Sequence, residues 1–165
     1  MRTILLVDFD DERLSDIVEH EIASRFDMVT RHMDAELPSA RTRGWQLNAE
    51  DLLSEVSSRC EESGSDMAMG LIKADLYVPG MNFVFGLASR EGRSAVVSAY
   101  RLKTPEMKLF LQRLLKEIFH ELGHLFGLTH CDDDRCVMHF SNSLADTDIK
   151  STWLCDRCSS RLSNL

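Results

Sequence analysis

Residues 120–130 read His-Glu-Leu-Gly-His-Leu-Phe-Gly-Leu-Thr-His, the pattern H-E-x-x-H-x-x-G-x-x-H. At average residue frequencies, its five fixed positions arise by chance in a chain of this length on the order of once in 10⁵. On a helix, His120 and His124 stand one turn apart, so both imidazoles leave the same face and can hold one ion. Glu121 sits beside that face, within reach of a water on the ion but not itself a ligand. Gly127 follows where a left-handed cap would end the helix and let His130 swing back as a third ligand. Three nitrogens on Zn²⁺ leave a fourth position for water, whose pKa falls towards about 7. The chemistry expected is hydrolysis, with Glu121 as the base that takes a proton from the attacking water and passes it to the leaving amine.

A second set of ligand types follows directly. Cys131, Cys136, Cys155 and Cys158 fall within 28 residues, while Cys60 stands alone as a small buried residue. Four thiolates can close a tetrahedral site, the geometry of structural zinc. Two alternatives stay open: a redox dithiol at Cys155-Asp156-Arg157-Cys158, or disulfides, although a redox motif needs no second cysteine pair. Cys131 follows His130 directly, so clamping it on a metal would fix where His130 points. Asp132, Asp133 and Asp134 add negative charge to this lobe.

From His120 onward the chain resembles the metzincin clan of zinc peptidases, and more closely the archaemetzincins. The resemblance is carried by His120-Glu121-x-x-His124-x-x-Gly127-x-x-His130-Cys131-x4-Cys136-x-Met138-x16-Cys155-x-x-Cys158. It departs from the family pattern by one residue, in the gap between Met138 and Cys155. The resemblance implies a zinc-dependent peptidase acting on peptides or unfolded polypeptide, with two Zn²⁺ per chain. His120, His124 and His130 would hold the catalytic ion, Glu121 would be catalytic, and the four cysteines would hold a structural ion. Met138 matches the Met-turn, an apolar floor beneath the imidazoles; a plain core filler is the alternative.

The elements before the motif are compatible with that family's upper subdomain. Residues 3–7 are continuously apolar and read as a buried strand. An acidic turn and a helix from Arg13 to about Ser24 follow, with Leu14, Ile17, Val18 and Ile22 inward. Residues 26–33 alternate as a second strand, and 38–45 form a loop. Asn48 can cap a helix over 49–60 with Leu52, Leu53 and Val56 inward. Residues 67–72 make a third strand, and 83–88 with 95–100 a hairpin around Arg90-Glu91-Gly92-Arg93. Its first strand matches, in position, the edge strand on which metzincins pair an extended substrate; an internal strand is the alternative. Thr104 and Pro105 predict the start of a long helix reaching about Phe126. On its wheel the two histidines point away from the Leu114/Ile118/Leu122 stripe. Glu117 is expected to be solvated and paired with Arg113. His139 is expected to face solvent more readily than the cleft, and His20 and His32 are given no role.

The expected fold is therefore mixed α/β and zincin-like: a twisted mixed β-sheet with a backing helix and an active-site helix. A single catalytic domain would divide into an upper subdomain, 1–127, and a small Cys-rich lower subdomain, 128–165, with a structural zinc. The chain has 165 residues, 44% hydrophobic and 28% charged, values of an ordinary globular domain. Its net charge of −8 opposes binding to nucleic acid or an anionic membrane surface. The apolar start is too short for a signal or a membrane span, so a cytoplasmic protein active without a propeptide is expected, working as a monomer. The rivals are a non-catalytic zinc-binding module that grips a peptide or protein, and a redox protein using Cys155 and Cys158.

Overall fold

In the computed structural model, residues 1–10, 13–89 and 91–163 are described; Asp11 and Glu12 of the acidic turn and Arg90 of the hairpin turn lie outside them. The elements are β1 (Arg2–Asp8), α1 (Leu14–Phe26), β2 (Met28–Asp34), β3 (Thr42–Arg43), β4 (Gln46–Asn48), α2 (Ala49–Ser63), β5 (Met67–Ile72), β6 (Leu76–Tyr77), β7 (Gly86–Ala88), β8 (Ser94–Ser98), α3 (Met107–Leu125), α4 (Leu144–Ile149) and α5 (Asp156–Ser163).

β1 is apolar without alternation because both of its faces are covered, as in parallel sheets generally. Ile4 and Leu6 pack into one core with Leu14, Val18 and Ile22 of α1 and Leu114, Ile118 and Leu122 of α3. Leu5 and Val7 pack into another with Leu52, Val56 and Cys60 of α2. The main sheet has the order β2-β1-β5-β8-β7, parallel except for β7, which runs antiparallel along β8 at one edge. A second small sheet joins β3, β4 and β6. The chain forms the expected zincin-like mixed sheet, and the structure adds that helices cover both of its faces.

Several expected boundaries move, each for a local reason. Ile17 is exposed, because α1 buries only the narrow Leu14/Val18/Ile22 stripe against the sheet. Leu53 is half-buried, at the margin of the α2 stripe. The hairpin strands are shorter than expected: β7 starts at Gly86 because Val84 bridges instead to Leu76, and β8 gives way at Tyr100 to a 3₁₀ turn. α3 begins at Met107 and not at Pro105, since Glu106 is still extended (φ −82°, ψ 103°) and its carbonyl accepts from the Phe110 amide. The Asn48 cap forms as expected, its Oδ1 accepting from the Glu50 and Asp51 amides at 2.9 and 3.2 Å. α1 has no cap of its own. Asp8 at the end of β1 serves instead, accepting from the Ser15 amide and hydroxyl.

The largest departure concerns the polar face of α3. The histidine face does point away from the apolar stripe, yet Glu117 and His120 are buried on it, at 3% and 4% exposure. Residues after Gly127 return across this face. Arg113 forms a bidentate pair with Asp148, both bonds at 2.7 Å, and Lys116 donates to the Thr147 and Asp148 carbonyls. Glu117 is therefore not paired with Arg113: its Oε1 accepts from Thr147 Oγ1 at 2.8 Å and lies 3.1 Å from Lys150 Nζ. Lys150 is fully enclosed and also donates to the His139 carbonyl. Among the described residues, no helix is long and apolar enough to cross a membrane.

A buried charge that loses its partner is costly, whereas loss of both partners is cheap by comparison. Lys150→Met should therefore lower the unfolding free energy by about 3–5 kcal/mol. Glu117→Gln in the same chain, which keeps the Thr147 bond, should recover most of that loss in chemical denaturation.

Candidate metal centres and active-site cleft

α3 ends in a turn that the glycine makes possible. Gly127 has φ +83°, its amide donates to the His124 carbonyl, and the Leu128 amide donates to the Gly123 carbonyl, both at 2.9 Å. These paired bonds form a Schellman cap, which stops the helix and reverses the chain. The reversal brings His130 back, so that one ligand atom from each of His120, His124 and His130 lies within 4.8 Å of the others. The rings meet at centroid separations of 4.7, 5.2 and 4.9 Å. His120 is buried, His124 half-buried and His130 exposed, which leaves the cluster open on one side.

The second ring nitrogens set the chemistry of this cluster. His120 Nδ1 donates to the Val137 carbonyl and His124 Nδ1 to the Leu128 carbonyl, each at 2.8 Å. Each Nε2 then carries a lone pair and no proton, and the two Nε2 atoms face each other at 3.2 Å. Two lone pairs this close repel unless a cation lies between them. Tetrahedral zinc with bonds of about 2.0–2.1 Å sets neighbouring nitrogens about 3.3 Å apart, so the three residues fit that ion. Burial holds the imidazoles of His120, His124 and His130 below their ordinary pKa, that of His120 furthest; for each the charge of Lys150 acts in the same direction.

Glu121 is buried beside them, and desolvation together with the charge of Glu117 pushes its carboxyl pKa up to about 8, against the opposing pull of Lys150. Its carboxylate lies against β7. A Cβ at Gly86 would meet Glu121 Oε1 at 2.6 Å and the Val96 carbonyl oxygen at 2.8 Å. Only a glycine leaves that space. A cleft of about 570 Å³ opens in front, lined by Gly86, Leu87 and Ala88 of β7 on one side and by the three histidines and Glu121 on the other. β7 is thus an edge strand flanking the cleft.

Cys131, Cys136, Cys155 and Cys158 also converge, with sulfurs within 4.8 Å of one another. Cys131 and Cys155 Sγ lie 3.8 Å apart, the separation that four Zn–S bonds of about 2.3 Å impose and far beyond a disulfide bond. Cys136 Sγ accepts from the Met138 and Cys155 amides, both at 3.4 Å, which orients it as a ligand. Arg157 pairs with Asp132 and reaches Cys131 Sγ, so the expected acidity of this lobe is partly offset.

The two clusters share backbone. The Cys131 amide donates to the Met138 carbonyl at 3.0 Å, and His139 Nδ1 donates to the Cys131 carbonyl at 2.8 Å. His139 is accordingly half-buried as a brace and does not face solvent freely. Met138 is fully buried against α3; a Cβ at Gly123 would sit 2.2 Å from its sulfur. Sequence reasoning missed Gly86, Gly123, Thr147 and Lys150. Their roles depend on contacts between segments far apart in the chain, which no local pattern signals.

The profile of peptidase family M54 matches residues 17–164. The chain belongs to this family, the archaemetzincins. It is 51% identical over 117 residues to the archaemetzincin of Thermococcus kodakarensis, and 46% identical over 123 residues to that of Pyrococcus horikoshii. Those matches cover 67% and 71% of this chain and span 61% and 65% of the relatives' length. The crystal structure of the Methanopyrus kandleri archaemetzincin superposes with a TM-score of 0.90 at 41% identity, covering 99% of this chain and 94% of that one. That of Archaeoglobus fulgidus, determined in complex with malonate, gives 0.85 at 29% identity, over 96% and 99% of the two chains. The archaemetzincin-like fold and the paired His and Cys clusters agree with a catalytic and a structural zinc.

Two measurements test this electrostatic and steric account. The lowered histidines make the metal-free fold lose stability as pH falls below about 6.5, because the unfolded chain then binds more protons. Glu121 has the opposite sign: between about 4.5 and 8 the folded chain keeps a proton the unfolded chain has released, so stability falls as pH rises. Thermal unfolding with a chelator should show that Glu121→Gln abolishes this alkaline decline and leaves the acid one. Gly86→Ala should displace the Glu121 carboxylate and, if the site is hydrolytic, cut turnover by roughly 10²-fold while zinc content by mass spectrometry stays unchanged.

Proposed function

We propose that this chain is a zinc-dependent peptidase that hydrolyses peptide bonds in peptides or unfolded polypeptide. The observation that carries the reading is the open cleft in which Glu121, three convergent imidazoles and an edge strand meet. His120, His124 and His130 would hold the zinc, which would supply Lewis acidity towards a water and a carbonyl.

Everything else in the mechanism belongs to the protein. Glu121 takes the proton of the attacking water on its carboxylate and returns it to the leaving amine. The Val137 and Leu128 carbonyls hold the His120 and His124 rings in one tautomer. The β7 edge offers unpaired backbone groups to an extended substrate strand, which would align the scissile bond beside Glu121. Met138 would form the apolar floor, and Cys131, Cys136, Cys155 and Cys158 would hold the structural zinc that anchors the segment carrying His130.

Residues 1–127 and 128–165 would then be upper and lower parts of one catalytic domain, with the cleft between them. One copy carries every group this mechanism uses, which supports action as a monomer. Cytoplasmic placement is part of the proposal, since a four-thiolate site needs a reducing compartment.

Incubation of the zinc-loaded protein with a diverse peptide mixture, followed by mass spectrometry of new termini, tests the reading. Glu121→Gln should retain two zinc ions per chain and lose at least about 10²–10⁴-fold in turnover. Equal cleavage by both proteins would rule the mechanism out.

A further inference from the structure

An apolar cavity lies apart from the cleft, among the last turn of α1, α3, α5 and the segment before α5. Leu128 is the one residue that borders both spaces. The cavity holds about 200 Å³. An apolar cavity of about 150 Å³ accepts benzene, so this one has room for a single ring and a short arm. Phe26, Phe119, Val137, Leu154 and Leu162 make its walls apolar, and Trp153, 63% exposed, borders it on the solvent side.

The one charged residue of this lining is Arg25. Its guanidinium lies over two rings, 3.7 Å from the Trp153 centroid and 4.9 Å from that of Phe119, and Nη1 donates to the Thr152 carbonyl at 2.9 Å. Those neutral partners fix where the group sits but do not cancel its charge. Nε and Nη2 form the edge that grips a carboxylate through two parallel bonds. Elsewhere in this chain that edge is filled: Arg101 holds Asp75 and Arg113 holds Asp148 through Nε and Nη2, at 2.7–2.8 Å. On Arg25 the same two nitrogens have no acceptor, and no carboxylate pairs with it, among the described residues. Arg25 is half-buried, where a charge gains more from an anion than it does in open water. The lining contains no acid to hold an ammonium group, and its walls offer nothing to a second negative charge.

We infer that this cavity is a second binding site, for a small monocarboxylate whose apolar body is about the size of one aromatic ring. The ring fills the space between Phe119, Val137 and Leu162, and the carboxylate pairs with Nε and Nη2 of Arg25. Apolar burial supplies the attraction, and the guanidinium selects the charge. A free aromatic acid and the carboxyl-terminal residue of a peptide share this chemistry. The ligand touches Val137 and Leu128, whose carbonyls hold the His120 and His124 rings, without entering the cleft. The site stands whether or not the cleft is catalytic.

The chain has two tryptophans, and Trp45 is 73% exposed on another part of the surface, so Trp45→Phe leaves Trp153 as the reporter. Titration of that zinc-loaded variant with 3-phenylpropionate should give a saturable change in indole fluorescence and a thermal midpoint that rises with ligand concentration. The neutral 3-phenylpropionamide and the cationic phenethylamine should bind at least about 10-fold more weakly. Acetyl-Gly-Phe separates the two sources: tighter binding than the free acid assigns the site to peptide termini, and weaker binding assigns it to free acids. In the otherwise unaltered chain, Arg25→Met should cost at least about 10-fold in affinity by thermal shift, with Arg25→Lys restoring part of it. Leu162→Trp, which fills the cavity from α5, should abolish binding with zinc content unchanged. Equal binding of acid and amide, or no saturable response, would overturn the site. Acid binding undiminished in both Arg25→Met and Leu162→Trp would place the carboxylate at the histidine-bound zinc and overturn it as well.

Discussion

Two imidazole nitrogens, both deprotonated and 3.2 Å apart, repel each other unless a cation stands between them. The protein imposes this by committing the opposite nitrogen of each ring to a backbone carbonyl, Val137 for His120 and Leu128 for His124. Neither carbonyl can be there unless the chain stops its helix at Gly127 and returns across α3. The left-handed turn, the Schellman bonds and the packing of the following residues are thus conditions for the ligand geometry and not accessories to it.

That return path explains why α3 is enclosed on nearly every side. One face belongs to the sheet core through Leu114, Ile118 and Leu122. The opposite face carries charge, and such a face can be buried only if each group finds a partner. Arg113 takes Asp148, Lys116 takes two carbonyls, and Glu117 takes Thr147 and Lys150, all supplied by α4 and its flank. The clamp holds the lower segment at a fixed distance from the helix and places a buried cation and a buried anion near the imidazoles. Burial and the field of Lys150 depress the histidines, and the two charges act in opposite directions on Glu121.

The cysteine cluster extends the same logic. Cys131 is joined through its amide to Met138 and through its carbonyl to His139, whose own carbonyl receives Lys150. A rigid four-sulfur site at one end of this chain of contacts restrains the residue next to His130. His130, the most exposed of the three histidines and the one not on the helix, has the most to gain from that restraint.

Local spacing alone marked the two candidate ligand sets. His120 and His124 one turn apart, Gly127 at a helix end, and four clustered cysteines are statements about short stretches of backbone, and helix geometry carries them without knowledge of the rest. The buried strand β1 and the Asn48 cap were legible for the same reason. Tertiary structure decided what faces those stretches. A helical wheel gives the direction of Glu117 but not whether water or Lys150, 33 residues later, waits there. It cannot show that Gly86 must lack a side chain for Glu121 to fit, or that Ser141 is enclosed without a partner. Those outcomes depend on close approach between segments remote in sequence, which burial and packing fix only once the whole chain has folded.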